Sequence, residues 1–375
     1  MPKTPSQIRT EGITNFRLQR HHLLDDPPAD AVTICREVCG VQAQVMSAAY
    51  LQLWTRNHAL TRAQIENALW KTRTLVKTSL MRQTLHLIPT DEFPLYIAAL
   101  KPSRVAAPLR VMARCGITRE EGEDLTPLIM NALAAGPLGR AAIAAALRPK
   151  VSKRVRSWMD KCWSHVRVPI AEGLICYGSG EGNEVTFIRV DQWLPNLKPQ
   201  PIPATEAQCA LLRKYLRAYG PATLTDFSHW SGIPMREMKP LPTLLESDLE
   251  QIPGDNKNCF LLREDVAVLG ESPRARTCIR LLPSFDSYLL AHRDKDHLVS
   301  AKHYKRVYRN QWWISPVVLT DGVVAGVWSH KLQSKSLLVR IESFGKPSRG
   351  ARAEIEQEAG RLALFFDSDL ELQFV

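Results

Sequence analysis

The chain has no hydrophobic run approaching the roughly 20 residues that a membrane-spanning helix needs. Its N-terminus, Met1-Pro2-Lys3-Thr4, has no apolar core of the kind a signal peptide carries. Both absences point to a cytoplasmic protein with no membrane partner. No His-Glu-x-x-His, paired Cys-x-x-Cys or phosphate-cradling glycine-rich loop occurs, which argues against a metal centre and a nucleotide cofactor. The eight cysteines, at 35, 39, 115, 162, 176, 209, 259 and 278, are scattered. In a reducing compartment they read as buried free thiols. Acidic residues are also few, 38 against 49 Lys and Arg, for a net charge of +11. That imbalance favours a polyanionic partner, nucleic acid first and an anionic membrane surface second.

What is present is enough for packed cores: 375 residues, 45 % of them hydrophobic. That length suits about two to four domains. Ala31, Ile34, Cys35 and Val38 recur at helical spacing, and Gly40 is placed to end that helix. A second helix reads over 45–54, and Thr61-x-x-Gln64 opens a third through Trp70 as a capping box. Two strands follow over 75–88. In the second, Thr84, His86 and Ile88 share one face, and Leu85 and Leu87 the other.

The order recurs. Helices read over 125–134, 140–147 and 155–172, the last ended by Gly173. A hairpin follows, turning at 178–183. After a proline-rich linker, 195–203, Thr205 caps a helix reaching Tyr219. A short helix, 225–230, and the tight turn at Ser231-Gly232 make the clearest helix-turn-helix segment. A further helical stretch precedes a hairpin turning at 254–258. Three helices and then a hairpin is the order of a winged helix. The last hundred residues differ. Val317–Leu319 and Val323–Trp328 flank Asp321-Gly322, a strong hairpin signal. Strands at 337–341 and 370–374 enclose a helix over 351–365.

Gln42-Ala43-Gln44 lies in the connection between the first two helices. Glutamines two apart on an extended segment point to the same side. Two neutral amides there can orient a water molecule but cannot strongly deprotonate it. The pattern therefore indicates a substrate already activated for bond breaking, or a surface pair with no chemistry.

With these segments in place the chain resembles the winged-helix superfamily of DNA glycosylases of the AlkZ and YcaQ type (the helix-turn-helix 42 family). The likeness is carried by Val41-Gln42-Ala43-Gln44, by the run from Leu80 to Pro89, and by Tyr219-Gly220-Pro221-Ala222-Thr223 with Asp226, Phe227 and Trp230. It continues in the runs from Leu281 to Leu290 and from Trp313 to Leu319, with Asp321-Gly322. These occur in family order over nearly the whole chain. The resemblance implies an α+β protein of three tandem winged-helix domains and a C-terminal β-barrel-like domain, forming a concave DNA-binding surface. Their spans here are 1–100, 101–198, 199–270 and 271–375. It implies a monofunctional glycosylase that excises bulky N7-alkylguanine adducts and sometimes crosslinks, a monomer on alkylated duplex DNA. It further implies a bacterial, nucleoid-associated enzyme with no cofactor. In the family the first domain holds a catalytic Gln-apolar-Gln motif, or Gln-apolar-Asp in the YcaQ branch. Gln42 and Gln44 place this chain nearer AlkZ, whose relatives include self-resistance enzymes of organisms making DNA-alkylating natural products. Gln83 departs from the small residue common in relatives.

Other candidates carry two readings each. His86 either supports the site through a hydrogen bond or acts in catalysis. Arg82 is a phosphate or loop contact. Asp286 either caps a turn or buttresses the site. Arg293, Lys295, Lys302, Lys305, Arg306 and Arg309, interleaved with Tyr304, Tyr308, Trp312 and Trp313, are a DNA-backbone patch or a solvated basic face. Lys153, Arg154 and Arg156, beside Lys150, form a second such stretch. No lysine stands out as a Schiff-base nucleophile, so hydrolysis without strand cleavage is expected. The alternative function is a winged-helix transcription regulator, which would release no base.

Overall fold

A computed structural model describes residues 10–24, 29–162, 164–180, 185–198, 201–254, 257–271 and 278–375. By packing, the chain divides into two units. The first gathers residues 1–65, 212–230 and 242–375, and the second 66–211 and 231–241.

Helices followed by a hairpin occur three times along the chain, with an additional short helix, Arg167–Ala171 or Leu241–Leu244, before the second and third hairpins. Helices Ala31–Glu37, Met46–Arg56 and Arg62–Glu66, the last continued by a wider turn to Lys71, precede strands Leu75–Ser79 and Leu85–Pro89. Asp30 caps the first by accepting from Thr33 N–H. Thr61 and Gln64 form the reciprocal capping pair expected at the third. Helices Arg119–Ala132, Arg140–Leu147 and Lys153–Lys161 precede strands Ile175–Gly178 and Thr186–Arg189. Helices Ala204–Tyr219, Leu224–Ser231 and Met235–Met238 precede Leu249–Gly254 and Lys257–Leu262. Parts of two expected turns, 181–184 and 255–256, lie outside the described residues, as do 199–200 of the linker.

Two local expectations need correction. The single helix over 155–172 is two, Lys153–Lys161 and Arg167–Ala171, because the backbone at Cys162 is extended (φ −126°, ψ 115°). Thr205 lies inside the first turn of its helix, which begins at Ala204. Residues 93–114 form one 22-residue helix despite Pro102 and Pro108. An interior proline removes a helical hydrogen bond. Here Phe93, Tyr96, Ile97, Leu100, Arg104, Pro108 and Met112 are buried, so tertiary packing outweighs the loss. This helix is continuous across position 100.

In the second unit the strands run in the order Leu85–Pro89, Leu75–Ser79, Ile175–Gly178, Thr186–Arg189, Leu138–Gly139. Lys77 opposite Tyr177 joins the first hairpin to the second. Beside them Leu125, Ile129, Ile143, Leu147, Val155, Trp158 and Phe187 form the core.

The C-terminal part of the first unit is an open five-stranded sheet, ordered Asp369–Phe374, Ser336–Ser343, Val323–Leu332, Val317–Thr320, Ile279–Leu282. It is not the closed barrel that the barrel-like expectation suggests. Helix Arg349–Phe365 links the one parallel pair, Ser336–Ser343 and Asp369–Phe374. Both faces are covered. Val317, Leu319 and Leu282 pack with Leu18, Leu23 and Leu289 on one side. Val318, Leu281 and Ile341 pack with Leu51, Trp54, Ile355 and Leu362 on the other. Double coverage explains why Val317-Val318-Leu319 is apolar throughout rather than alternating. Asp321 and Gly322 both have positive φ (49° and 78°), as the predicted two-residue turn requires.

Candidate active site

The connection carrying Gln42 and Gln44 is shaped at both ends. The chain leaves helix Ala31–Glu37 through Cys39 (φ 56°) and Gly40 (φ 90°). Gly40 N–H donates back to Cys35 O at 2.7 Å, satisfying a terminal carbonyl of the helix. The paired strand is only Val41–Gln42; the chain then bends at Gln44 and Val45 to enter helix Met46–Arg56. The two glutamines therefore do not share one environment, as simple alternation had suggested. Gln42 is 5 % exposed and Ala43 fully buried, whereas Gln44 is open to solvent.

Behind this turn lies a buried polar network absent from the sequence reading. Gln52 Nε2 donates to the Gln42 carbonyl at 3.0 Å. Gln52 Oε1 accepts from Ser287 N–H at 3.2 Å. The Ser287 hydroxyl lies 3.2 Å from both the Gly40 carbonyl and Gln52 Oε1, and donates to one at a time. One helical turn beyond Gln52, Arg56 binds Asp286 with two bonds, 2.9 and 2.8 Å. Both side chains are fully buried. Burial alone would lower the Arg56 pKa; Asp286 more than offsets it and the net shift is upward. Asp286 also caps the short helix Ser287–Leu290 by accepting from Tyr288 N–H. Asp286 thus caps a turn, and its pairing with Arg56 ties the segment carrying Ser287 to helix Met46–Arg56. The signal for this network was Gln52 and Arg56, four apart in a helix whose other residues carry no side-chain amide or charge.

His21 packs between Tyr219 and Tyr288, at ring distances of 4.8 and 5.3 Å. Burial first, and then the Arg56 charge, hold its pKa well below the ordinary histidine value.

In the second unit, the loop joining strands Leu75–Ser79 and Leu85–Pro89 carries Arg82 and Gln83 at positive φ (53° and 62°). Gly232, of the tight turn after Ser231, lies against it. A Cβ there would come within 3.3 Å of Arg82 N. His86 is buried, opposite Thr78 in register, and its Nδ1–H donates to the Thr84 carbonyl at 3.0 Å. Its pKa is pushed down to about 3, chiefly by burial and then by Arg82. It is therefore neutral at pH 7, with Nε2 left as the acceptor. Leu85 is half-buried, whereas Leu87 on the same face is buried.

The basic stretches separate on inspection. Lys153, Arg154 and Arg156 are exposed at the start of helix Lys153–Lys161, with Arg154 paired to Glu121 at 2.8 Å. Arg293, Lys302, Lys305 and Arg309 are exposed. Arg306 pairs with Glu342 and lies over the Phe344 ring. Lys295 does not belong to a surface patch. It is 7 % exposed, and its ammonium donates to the carbonyls of Leu289 and His292. Five cysteines, 35, 39, 176, 209 and 278, are buried; Cys115 is exposed. No group of three His, Cys, Asp or Glu among the described residues is placed to hold a metal ion. No described helix is long and apolar enough to cross a membrane.

The model of the AlkZ-like DNA glycosylase family matches residues 35–365. The chain belongs to the AlkZ-like DNA glycosylases. It is 31 % identical over 364 residues to an interstrand DNA cross-link repair glycosylase of Streptomyces sahachiroi, covering 93 % of this chain and 94 % of the relative. The solved structure of the Streptomyces sahachiroi DNA glycosylase AlkZ superposes with a TM-score of 0.85 at 28 % identity, covering 97 % of this chain and 99 % of that one. An AlkZ-like glycosylase is an enzyme of DNA repair that cleaves N-glycosidic bonds, and the regulator alternative falls with that membership.

Proposed function

We propose that this glycosylase hydrolyses the N-glycosidic bond of bulky cationic N7-alkylguanine in duplex DNA, with Gln42 and Gln44 positioning the attacking water. The observation that carries the reading is the turn itself. Between Gly40 and Ala49 no side chain ionises. Yet the Gln42 backbone is held by a buried network that includes a fully desolvated ion pair. A surface pair of glutamines needs no such support; a water-placing pair needs fixed geometry.

The chemistry matches neutral amides. Alkylation at N7 makes the purine cationic. As the C1′–N9 bond breaks, its electron pair neutralises the base, which leaves without prior protonation. Positive charge develops on the sugar. Amide oxygens from Gln42 and Gln44 favour that charge and hold the water that adds to C1′. The water's second proton passes to solvent, leaving an abasic site. His86, neutral at pH 7, adds no acid to this scheme.

Two finer points follow from the same reading. A crosslink through N7 presents the same cationic purine, so releasing one base frees one strand. The name of the Streptomyces sahachiroi relative supports that extension. Guarding a producer of such an alkylating agent is the corresponding cellular role. The three helix-and-hairpin runs are winged-helix domains, the first two meeting within helix Phe93–Arg114 and not breaking at position 100, the third over 199–270, with a β-rich domain over 271–375. The enzyme works as a monomer in the bacterial cytoplasm. Single-turnover assays on duplexes bearing N7-alkylguanine or 8-oxoguanine test the substrate. Base release from the first and none from the second is expected. Release of 8-oxoguanine alone would overturn both the substrate and the role of the two amides.

A further inference from the structure

We propose that Trp312 is a base-stacking residue, presenting its indole to a nucleobase unstacked at the damaged position. Trp312 is 92 % exposed, the most exposed large hydrophobic side chain among the described residues. It does not sit on a loose strand. An antiparallel bridge between Tyr308 and Ile314 closes the loop, and Arg309 N–H donates to Trp313 O at 2.8 Å. The base of the loop is tied inward. Tyr308 OH donates to Leu289 O at 2.9 Å, Ser315 Oγ to Arg306 O at 2.9 Å, and Trp313 meets Phe285 edge-on at 5.0 Å.

Gln311 and Trp312 both adopt positive φ, 59° and 63°. A bulky residue in that region is strained, and such strain persists only where the surroundings impose it. Here a tied loop holds an indole away from the protein in a strained backbone, leaving a large apolar surface uncovered. Lys302, Lys305 and Arg309 are exposed in the same segment, which selects a polyanion over an apolar protein surface. A rigid aromatic face beside cationic side chains is the arrangement that binds unstacked bases, since every base offers a π face. The inference rests on DNA as the substrate and not on the chemistry assigned to Gln42 and Gln44, so the two can fail separately.

The test uses the full chain with Trp312→Ala and Trp312→Phe. Affinity is measured by fluorescence anisotropy on a duplex containing a tetrahydrofuran abasic analogue and on the matched intact duplex. Trp312→Ala is expected to weaken binding to the abasic duplex by roughly 5- to 150-fold, the range for losing one base–aromatic stack. It should weaken binding to the intact duplex less. Trp312→Phe should retain most of the affinity. The dependence of log K on log salt should be unchanged, because no phosphate contact is lost. The side chain is exposed, so the Tm of both variants should match wild type. Equal affinity of Trp312→Ala and wild type for the abasic duplex would overturn the proposal. So would a Phe variant as weak as Ala, or a flattened salt dependence.

Discussion

The turn at Gln42–Gln44 and the stretch from Arg293 to Trp313 belong to the same packing unit and are built in opposite ways. The turn has little charge of its own and a dense buried network behind it: Gln52, Ser287, Arg56 and Asp286. The stretch has abundant charge in front. Inside it, Lys295 is used to satisfy carbonyls and Tyr308 to tie a loop. Placing a water requires side chains fixed to a fraction of an ångström. Gripping a polyanion requires charge that stays in solvent until the partner arrives. Under the proposed roles, the first region depends on geometry and the second on exposure.

The sharpest way to break the comparison is to truncate the amides. Gln42→Ala and Gln44→Ala should each slow base release by roughly 10²–10⁴ in single-turnover assays, the range for removing a group that aids proton movement or water placement. DNA affinity should hardly change. Only Gln42→Ala should also lower Tm, since Gln42 is buried and Gln44 is not. Gln44→Asp should lose less than Gln44→Ala, because a carboxylate can hold the same water. Wild-type rates in both Ala variants would return the pair to the surface.

The next effect is on stability. Asp286→Ala leaves the Arg56 guanidinium buried and unpaired, and should cost about 3–5 kcal/mol in urea unfolding. Arg309→Ala, on the exposed stretch, should stay within about 0.5 kcal/mol. A small loss in Asp286→Ala would mean that water reaches the pair.

Acid should act on buried histidines beside the turn and, through His292 and His297, beside the basic stretch as well. His21, beside Arg56, has a folded-state pKa far below its unfolded value of about 6.5. The unfolded chain therefore binds the proton first. The stabilisation is complete above about pH 6.5 and is lost as pH falls toward the depressed value. His86, at about 3, acts in the same direction. Each contributes a slope of up to about 1.4 kcal/mol per pH unit below pH 6.5. Urea unfolding at pH 7.5 and pH 5 checks this. His21→Phe, keeping a ring between Tyr219 and Tyr288, should reduce the acid-side loss. A loss unchanged from wild type would assign it to other groups.

The smallest effect lies on the basic stretch. Lys305→Gln with Arg309→Gln should flatten the slope of log K against log salt by up to about two units if both contact phosphate. Adding Arg306→Gln should change less, because Arg306 must first leave Glu342. An unchanged slope in the double variant would make this face merely solvated.

Much of the local structure was written in the chain. Capping at Thr61, the Asp321-Gly322 turn and the sequence of helices before a hairpin all depend on neighbours within a few residues. So does the placement of Gln42 and Gln44 in a connection rather than a helix. Whatever required distant segments to meet was not legible. Pro102 and Pro108 argue locally against a helix that packing nevertheless keeps. Five strands can form an open or a closed sheet, and only the pairing partners decide. Lys295 and Lys305 look alike in a basic run, yet one ammonium is buried against carbonyls and the other faces water. Sequence alone set the glutamine pair, the cationic balance and the family likeness. That Arg56 meets Asp286, 230 residues away, and so fixes the support behind the turn, was settled by tertiary structure. A buried charge is tolerated only where its counter-charge arrives, and no local pattern records where that is.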